Sequence, residues 1–145
     1  MKNILDKATL WLSDTFDTET QQEIQQLISS NSNDLTDRFY KDLEFGTGGM
    51  RGMMGAGTNR INKYTLGKAT QGLSNYLKKS YPNEEIKVAI AYDCRHNSDT
   101  FSRLVAEVLS ANDIKVVVFE DLRPTPELSF AVNELNCHAG IVLTA

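Results

Sequence analysis

The sequence is poor in cysteine and histidine, and it lacks any long apolar or basic run; each shortage closes a class of function. Two cysteines among 145 residues, Cys94 and Cys137, stand without CxxC or zinc spacing. They are too few for a disulfide framework, which makes a reducing cytoplasm the expected location. Cys94 and His96, and again Cys137 and His138, lack metal-like partners at i+3 or i+4, so core or surface roles are expected for all four. No stretch approaches the roughly 20 apolar residues that span a membrane. The start, "MKNILDKATLWLSD", sets Asp6 and Asp14 around a short apolar face and has no signal-peptide core, so neither export nor membrane insertion is expected. The 15 basic residues are scattered against 19 acidic ones, for a net charge of −4. That distribution argues against a nucleic-acid surface or an anionic membrane as partner, while a small anion held by local geometry stays open. There is no internal repeat and no low-complexity linker.

What is present suffices for a folded core, with 41% hydrophobic and 23% charged residues. From Asn3 to about Lys41 apolar residues recur at helical spacing: Ile4, Ala8, Trp11 and Leu12, then Ile24, Leu27 and Ile28, then Leu35, Phe39 and Leu43. Asp17 or Thr18 is the candidate cap of the second helix, and "SNSND" separates it from the third. Six of the nine glycines then fall between Gly46 and Gly57, which marks a loop system. Leu66, Ala69, Leu73, Tyr76 and Leu77 share one face of a further helix, closed off by Pro82. From Ile86 onward strand and helix alternate: "IKVAIAY", a helix carrying Phe101, Leu104, Val105, Val108 and Leu109, "IKVVVF", the helix "TPELSFAVNEL", and "HAGIVLTA". Continuous Val/Ile runs between amphipathic helices predict a three-layer α/β/α sandwich with a mostly parallel mixed sheet, preceded by amino-terminal helices. Residues 1–43 are read as a helical segment packing on the core, and 44–145 as the α/β domain.

Four segments sit where such a fold places chemistry. In "FGTGGMRG", Phe45 to Gly52, the glycines let backbone N–H groups approach a ligand and Arg51 adds a fork of donors, a combination suited to an oxyanion. A flexible loop with an exposed arginine is the alternative. A dinucleotide site is disfavoured because G-x-G-x-x-G is unmatched. In "AYDCRHNS", Ser98 and Asp99 read as helix-start residues, whereas Arg95 either clamps a phosphate or pairs with Asp93 to fix the turn. In "LRPTPELSFA", Thr125 reads as a cap with Pro126 at the first helical position. The last strand delivers Thr144 and Ala145 to its carboxyl end, and Thr144 is the one visible candidate nucleophile there.

In this order the segments resemble the amino-terminal domain of the α-D-phosphohexomutases, the phosphoglucomutase and phosphomannomutase superfamily. "FGTGGMRG" resembles its early glycine-arginine loop, "YDCRHNS" its Tyr-Asp-x-Arg-x-x-Ser turn, and "RPTPELSFA" its Thr-Pro-x-Leu turn. "GAGTNRINKYTLGKAT" is similar to the bacterial phosphoglucomutases, whose relatives include phosphopentomutases. The resemblance covers Leu43 to Ala145 and makes 44–145 the first α/β domain of such an enzyme. It implies a last strand that runs into Thr-Ala-Ser-His-Asn-Pro, with Thr144 and Ala145 as the first two positions and the phosphorylated serine just after Ala145, absent here. It implies that the intact enzyme interconverts glucose 1-phosphate and glucose 6-phosphate, or mannose phosphates, through a phosphoserine and a bisphosphate intermediate. Mg²⁺ and a hexose 1,6-bisphosphate activator are the implied cofactors. Arg51 is implied as the electrostatic clamp on the transferring phosphate, Arg95 as a catalytic support of the serine loop, and Thr47 and Gly48 as the substrate-binding wall beside Arg51. No metal ligand is expected in this stretch; the metal, the sugar-reading loop and the distal phosphate loop are implied for later domains of the same chain. A phosphorylated sugar and those later domains are thus the expected partners, and the stretch alone is expected to be inactive and prone to self-association. A non-catalytic phosphate- or phosphosugar-binding module is the alternative, and a ligand-free oligomerisation domain a third reading.

Overall fold

The apolar spacing of the first forty residues resolves into three short helices. The computed structural model describes residues 2–30 and 33–144 of the chain. Helix α1 spans Lys2–Leu10, α2 Thr18–Ser29 and α3 Asn33–Phe39. The break expected in "SNSND" falls in part on Asn31 and Ser32, outside the described residues. Asp17 caps α2: its backbone is extended, and its carboxylate accepts the Thr20 N–H at 3.0 Å and the Thr20 hydroxyl at 2.7 Å. Helices this short are marginal in isolation. They hold because Ala8, Trp11, Ile24, Leu35 and Phe39 bury together with Ala56, each large side chain contributing about 1.5–3 kcal/mol. Trp11 stacks on Phe16 at 4.5 Å and meets Phe39 and Tyr64 edge-on.

The glycine-rich stretch is more ordered than an open loop. Strands β1 (Phe45–Gly46) and β2 (Gly49–Met50) pair antiparallel in a small hairpin. Helix α4 covers Lys63–Ser80 and starts ahead of its apolar stripe. The cause is Asn62, whose side-chain oxygen accepts the N–H groups of Tyr64 and Thr65 at 3.1 and 2.9 Å, while Thr65 Oγ1 accepts the Asn62 N–H at 3.1 Å. This is a reciprocal cap. The Asn62 amide also donates to the carbonyls of Gly55 and Gly57, so one residue starts the helix and pins the glycine run.

Two compact units divide the chain, Met1–Thr65 and Leu66–Ala145. In the second, β3 (Lys87–Tyr92), α5 (Ser98–Ala111), β4 (Lys115–Val118), α6 (Thr125–Glu134) and β5 (Ala139–Leu143) follow in sequence. The sheet order is β4-β3-β5, parallel throughout, with Val88 opposite Val116 and Ala139. Alternation along β3 sorts its two faces. Val88 and Ile90 pack with Leu77 of α4 and with Val105 and Leu109 of α5, whereas Ala89 and Ala91 meet Leu128 and Val132 of α6. These are the three layers expected. Among the described residues the main sheet is wholly parallel, and antiparallel pairing is confined to the β1–β2 hairpin. Among the described residues no helix is long and apolar enough to cross a membrane.

Candidate functional site

The residues singled out by sequence fall in two places, one in each unit. In the first, Thr47 and Gly48 form the turn between β1 and β2, and Arg51 directly follows β2. Gly49 has φ of +112°, a state that glycine reaches freely and other residues resist, so the turn requires glycine at that position. A Cβ on Gly48 would stand 3.7 Å from Arg51 Nη2, which places the guanidinium beside the turn. Arg51 is exposed, and no hydrogen bond or ion pair of it is found among the described residues. With Lys41, Phe45, Gly46 and Asn59 it lines an open groove of about 360 Å³.

Other arginines of this unit are already engaged. Arg38 pairs with Glu23 and, at 2.7 Å, with Asp34. Its hydrogen bond holds the Asp34 carboxyl below the usual carboxylate range. Arg60 is 3% exposed and donates to Asp34 at 3.0 Å and to Asp37 at 2.6 Å. Arg51 therefore differs in kind: a planar fork of donors with no acceptor among the described residues, beside a tight turn, is suited to bidentate capture of an oxyanion.

In the second unit the carboxyl ends of the strands converge on Tyr92 and Asp93. The Tyr92 hydroxyl donates to the Glu120 carbonyl at 2.9 Å, and the Tyr92 carbonyl accepts the Arg123 N–H at 3.1 Å, which fixes the β4–α6 connection. Asp93 works on the other side. Its N–H donates to the Leu143 carbonyl at 3.2 Å, and its carboxylate accepts hydrogen bonds from the Arg95 N–H and the Ser98 hydroxyl, both at 3.0 Å. Arg95 Nε stands 3.5 Å from Asp93 Oδ2. Burial opposes the charge on Asp93, but the neighbouring Thr144 hydroxyl, the hydrogen bonds from the Arg95 N–H and Ser98, and the charge of Arg95 outweigh it and hold the carboxyl below the usual range.

Thr47, Gly48 and Arg51 thus share the hairpin, and Arg95 meets Asp93, whose N–H reaches the end of β5 at Leu143; Ala145 lies outside the described residues. Ser98 is not the cap of α5. Asn97 takes that position in the left-handed conformation, φ 62°, which asparagine tolerates, and the Ser98 hydroxyl is spent on Asp93 instead. Likewise Pro124 is the cap of α6, with Thr125 the first helical residue and Pro126 the second. In sequence Asp93 reads only as a partner of Arg95, and its hold on Ser98 and on the Leu143 carbonyl is missed. Its signal is local: an aspartate at a strand end whose carboxylate meets the N–H two residues on is an Asx turn. Among the described residues no group of three or more His, Cys, Asp or Glu side chains could hold a metal ion.

Comparison with known proteins gives the family of the chain. The family described as "Phosphoglucomutase/phosphomannomutase, alpha/beta/alpha domain I" matches residues 42–145. A phosphoglucomutase of Staphylococcus epidermidis is 36% identical over an alignment of 149 positions, covering 100% of this chain and 24% of that protein. One from Staphylococcus aureus is 45% identical over 109 residues, 75% of this chain and 19% of its own length. The chain therefore spans about a quarter or less of the curated relatives it matches. No solved structure gives a significant match.

Proposed function

Because the chain belongs to the phosphoglucomutase/phosphomannomutase family and carries its first α/β/α domain, we propose that it serves a mutase interconverting glucose 1-phosphate and glucose 6-phosphate. The observation that carries the reading is Arg51, exposed at an open groove beside the Thr47–Gly48 turn and without an acceptor among the described residues. In this reading the guanidinium clamps the phosphoryl group as it transfers, and Thr47 and Gly48 form the adjoining wall. Phosphoryl transfer is governed by positioning and charge stabilisation, which fixed arginines provide. Arg95, oriented by Asp93, supports the loop that follows β5, where the reading places a phosphoserine just beyond Ala145. That serine donates to a sugar monophosphate, and the resulting bisphosphate returns its other phosphate. The protein works in the cytoplasm in this reading, with the sugar phosphate and later domains of the same chain as its partners.

Mg²⁺, when bound in such chemistry, neutralises charge on the transferring group. The described residues do not fit a Mg²⁺ site, since their carboxylates are not grouped. The reading accordingly assigns the ion to later domains.

The test is an assay of the full-length protein with glucose 1-phosphate, Mg²⁺ and a hexose bisphosphate primer, comparing wild type with Arg51→Ala and Arg51→Lys. Removing the fork is expected to lower kcat/KM about 10²–10³-fold, the loss typical of one stabilising donor, with lysine restoring a part. Wild-type turnover in Arg51→Ala would sink the assignment. Binding of phosphate by residues 1–145 with no turnover in the full-length protein would favour a non-catalytic binding module. Mannose 1-phosphate and ribose 1-phosphate as alternative substrates separate the mutase types within the family.

A further inference from the structure

We infer that Glu44 and Phe45 are substrate-binding residues that give the Arg51 groove a hold on the sugar of a hexose phosphate, in addition to its phosphate. The inference rests on the mutase reading above, which sets the phosphate at Arg51. In the β1–β2 hairpin Phe45 stands opposite Met50. Glu44 and Arg51 come next on the two strands, flank that pair, and both line the groove. No ion pair or hydrogen bond of either side chain is found among the described residues, so the groove keeps a donor fork and an acceptor apart. Phe45 joins them there, 69% exposed, and Met53 on the same groove is equally exposed. One apolar side chain in water is ordinary, but two on one small groove mark a surface that something covers. The other charged side chains of the groove are engaged: Arg60 donates to Asp34 and Asp37, and Lys41 Nζ lies 5.5 Å from the centre of the Tyr40 ring.

Each of the three groups matches one part of a phosphorylated sugar. The Arg51 guanidinium takes the phosphate. The face of an aromatic ring is electron-rich, and the C–H groups along a pyranose carry slight positive charge, so the sugar packs on Phe45 and covers its apolar area. A carboxylate accepts sugar hydroxyls and repels phosphate, so Glu44 and Arg51 together set which end of the ligand lies where. The groove holds about 360 Å³, the small end of the roughly 300–1,000 Å³ of ligand pockets, which suits a monosaccharide phosphate better than a longer chain. Inorganic phosphate uses Arg51 alone, whereas a hexose phosphate uses all three side chains.

The experiment uses the full-length protein with Phe45→Ala, Phe45→Tyr, Glu44→Gln and Arg51→Ala, measuring kcat and KM for glucose 1-phosphate and the inhibition constant of inorganic phosphate. Phe45→Ala is expected to raise KM about 5–20-fold with kcat within about twofold, the mark of lost uniform binding. Phe45→Tyr keeps the ring and is expected to hold KM within about threefold of wild type. Glu44→Gln is expected to raise KM about 3–10-fold, because an amide oxygen accepts more weakly than a carboxylate. The phosphate inhibition constant is expected to rise in Arg51→Ala, to stay within about twofold of wild type in Phe45→Ala, and not to rise in Glu44→Gln. Wild-type KM in either Phe45→Ala or Glu44→Gln would overturn the inference. So would a phosphate constant that rises in step with KM, since the residues would then shape the groove or meet a later domain rather than the sugar. A phosphate constant unchanged in Arg51→Ala would show that the groove takes no phosphate, and would sink the inference as well. If the wild-type protein shows no mutase turnover, the function reading fails. Dissociation constants of glucose 1-phosphate and inorganic phosphate, read by calorimetry in the same variants, then decide the inference, and equal losses for both ligands, or no wild-type preference for the sugar phosphate, refute it.

Discussion

Gly57 lies so close to Arg38 that a Cβ added to it would stand 2.8 Å from both the Cβ and the carbonyl oxygen of Arg38. The approach bolts the glycine run onto the end of α3. The same Arg38 carbonyl accepts the Asn59 N–H at 2.9 Å, and Arg38 Nη1 donates to the Ala56 carbonyl at 3.1 Å. Gly57 also sits at φ +126°. The glycines of this stretch therefore differ in what they do. Those near the hairpin turn shape an exposed surface, and Gly57 permits a main-chain contact.

That division predicts opposite outcomes for two alanine substitutions. Gly57→Ala meets backbone that cannot swing aside and an unfavourable φ, so it is expected to cost at least about 1–3 kcal/mol, the range for a strained backbone state. Gly72→Ala, in α4, meets nothing within 4 Å. It is expected to gain about 0.5–1 kcal/mol, because alanine loses less entropy in a helix. Urea denaturation midpoints check both, and shifts in the same direction would refute the division.

The arginines of the first unit should separate in the same way. Arg60 is buried and ties Asp34 to Asp37 and to the Asn59 carbonyl. Arg60→Ala removes three hydrogen bonds, two of them to carboxylates, and is expected to cost about 1.5–3 kcal/mol, the range for hydrogen bonds to charged groups. Arg51→Ala removes no hydrogen bond or ion pair found among the described residues, so its stability is expected to stay within about 0.5 kcal/mol of wild type. Thermal unfolding of the two variants decides the matter. A large loss in Arg51→Ala would make Arg51 a structural residue and remove it from the proposed clamp.

The parallel sheet is legible in the sequence because its signal is local. The run from Val88 to Ala91 is buried on both faces and reads as continuous apolar sequence, bounded by turn residues at both ends. The Asp17 cap is legible for the same reason, since its partner Thr20 lies within one turn. What escapes is set at a distance. Ser98 matches the pattern of a cap, yet its hydroxyl goes to an acceptor placed by the turn after β3, and asparagine at 97 adopts the left-handed state the turn needs. The link from Asp93 to Leu143 depends on the register of β3 against β5, which no window of sequence contains. The β1–β2 hairpin has two residues per strand, too few for alternation to declare it. Of the candidate site, the motifs can be read, and the acceptor that organises one of them cannot.

Asp17 supplies a pH-dependent prediction. Its carboxylate accepts the Tyr64 hydroxyl at 2.6 Å, the Thr20 N–H and hydroxyl, and an ion pair from Lys63 at 2.9 Å. The Tyr64 hydrogen bond is the largest influence, and together these hold the carboxyl far below the usual carboxylate range. An unfolded aspartate titrates near about 3.9. Above that value both states are ionised and the native state keeps the full benefit of the contacts. As the pH falls below it, the unfolded chain binds a proton that the folded chain does not, so stability declines progressively toward the depressed folded pKa. Asp17→Asn keeps an acceptor that caps helices well but cannot titrate. It is expected to flatten the fall in stability between about pH 4 and pH 2, measured by urea denaturation across that range. Tyr64→Phe is expected to flatten it in part and to cost about 1–3 kcal/mol at neutral pH, because the Asp17 N–H, which donates to the tyrosine oxygen at 2.8 Å, also loses its partner. An acid slope in Asp17→Asn equal to that of wild type would show that other carboxylates carry the acid sensitivity.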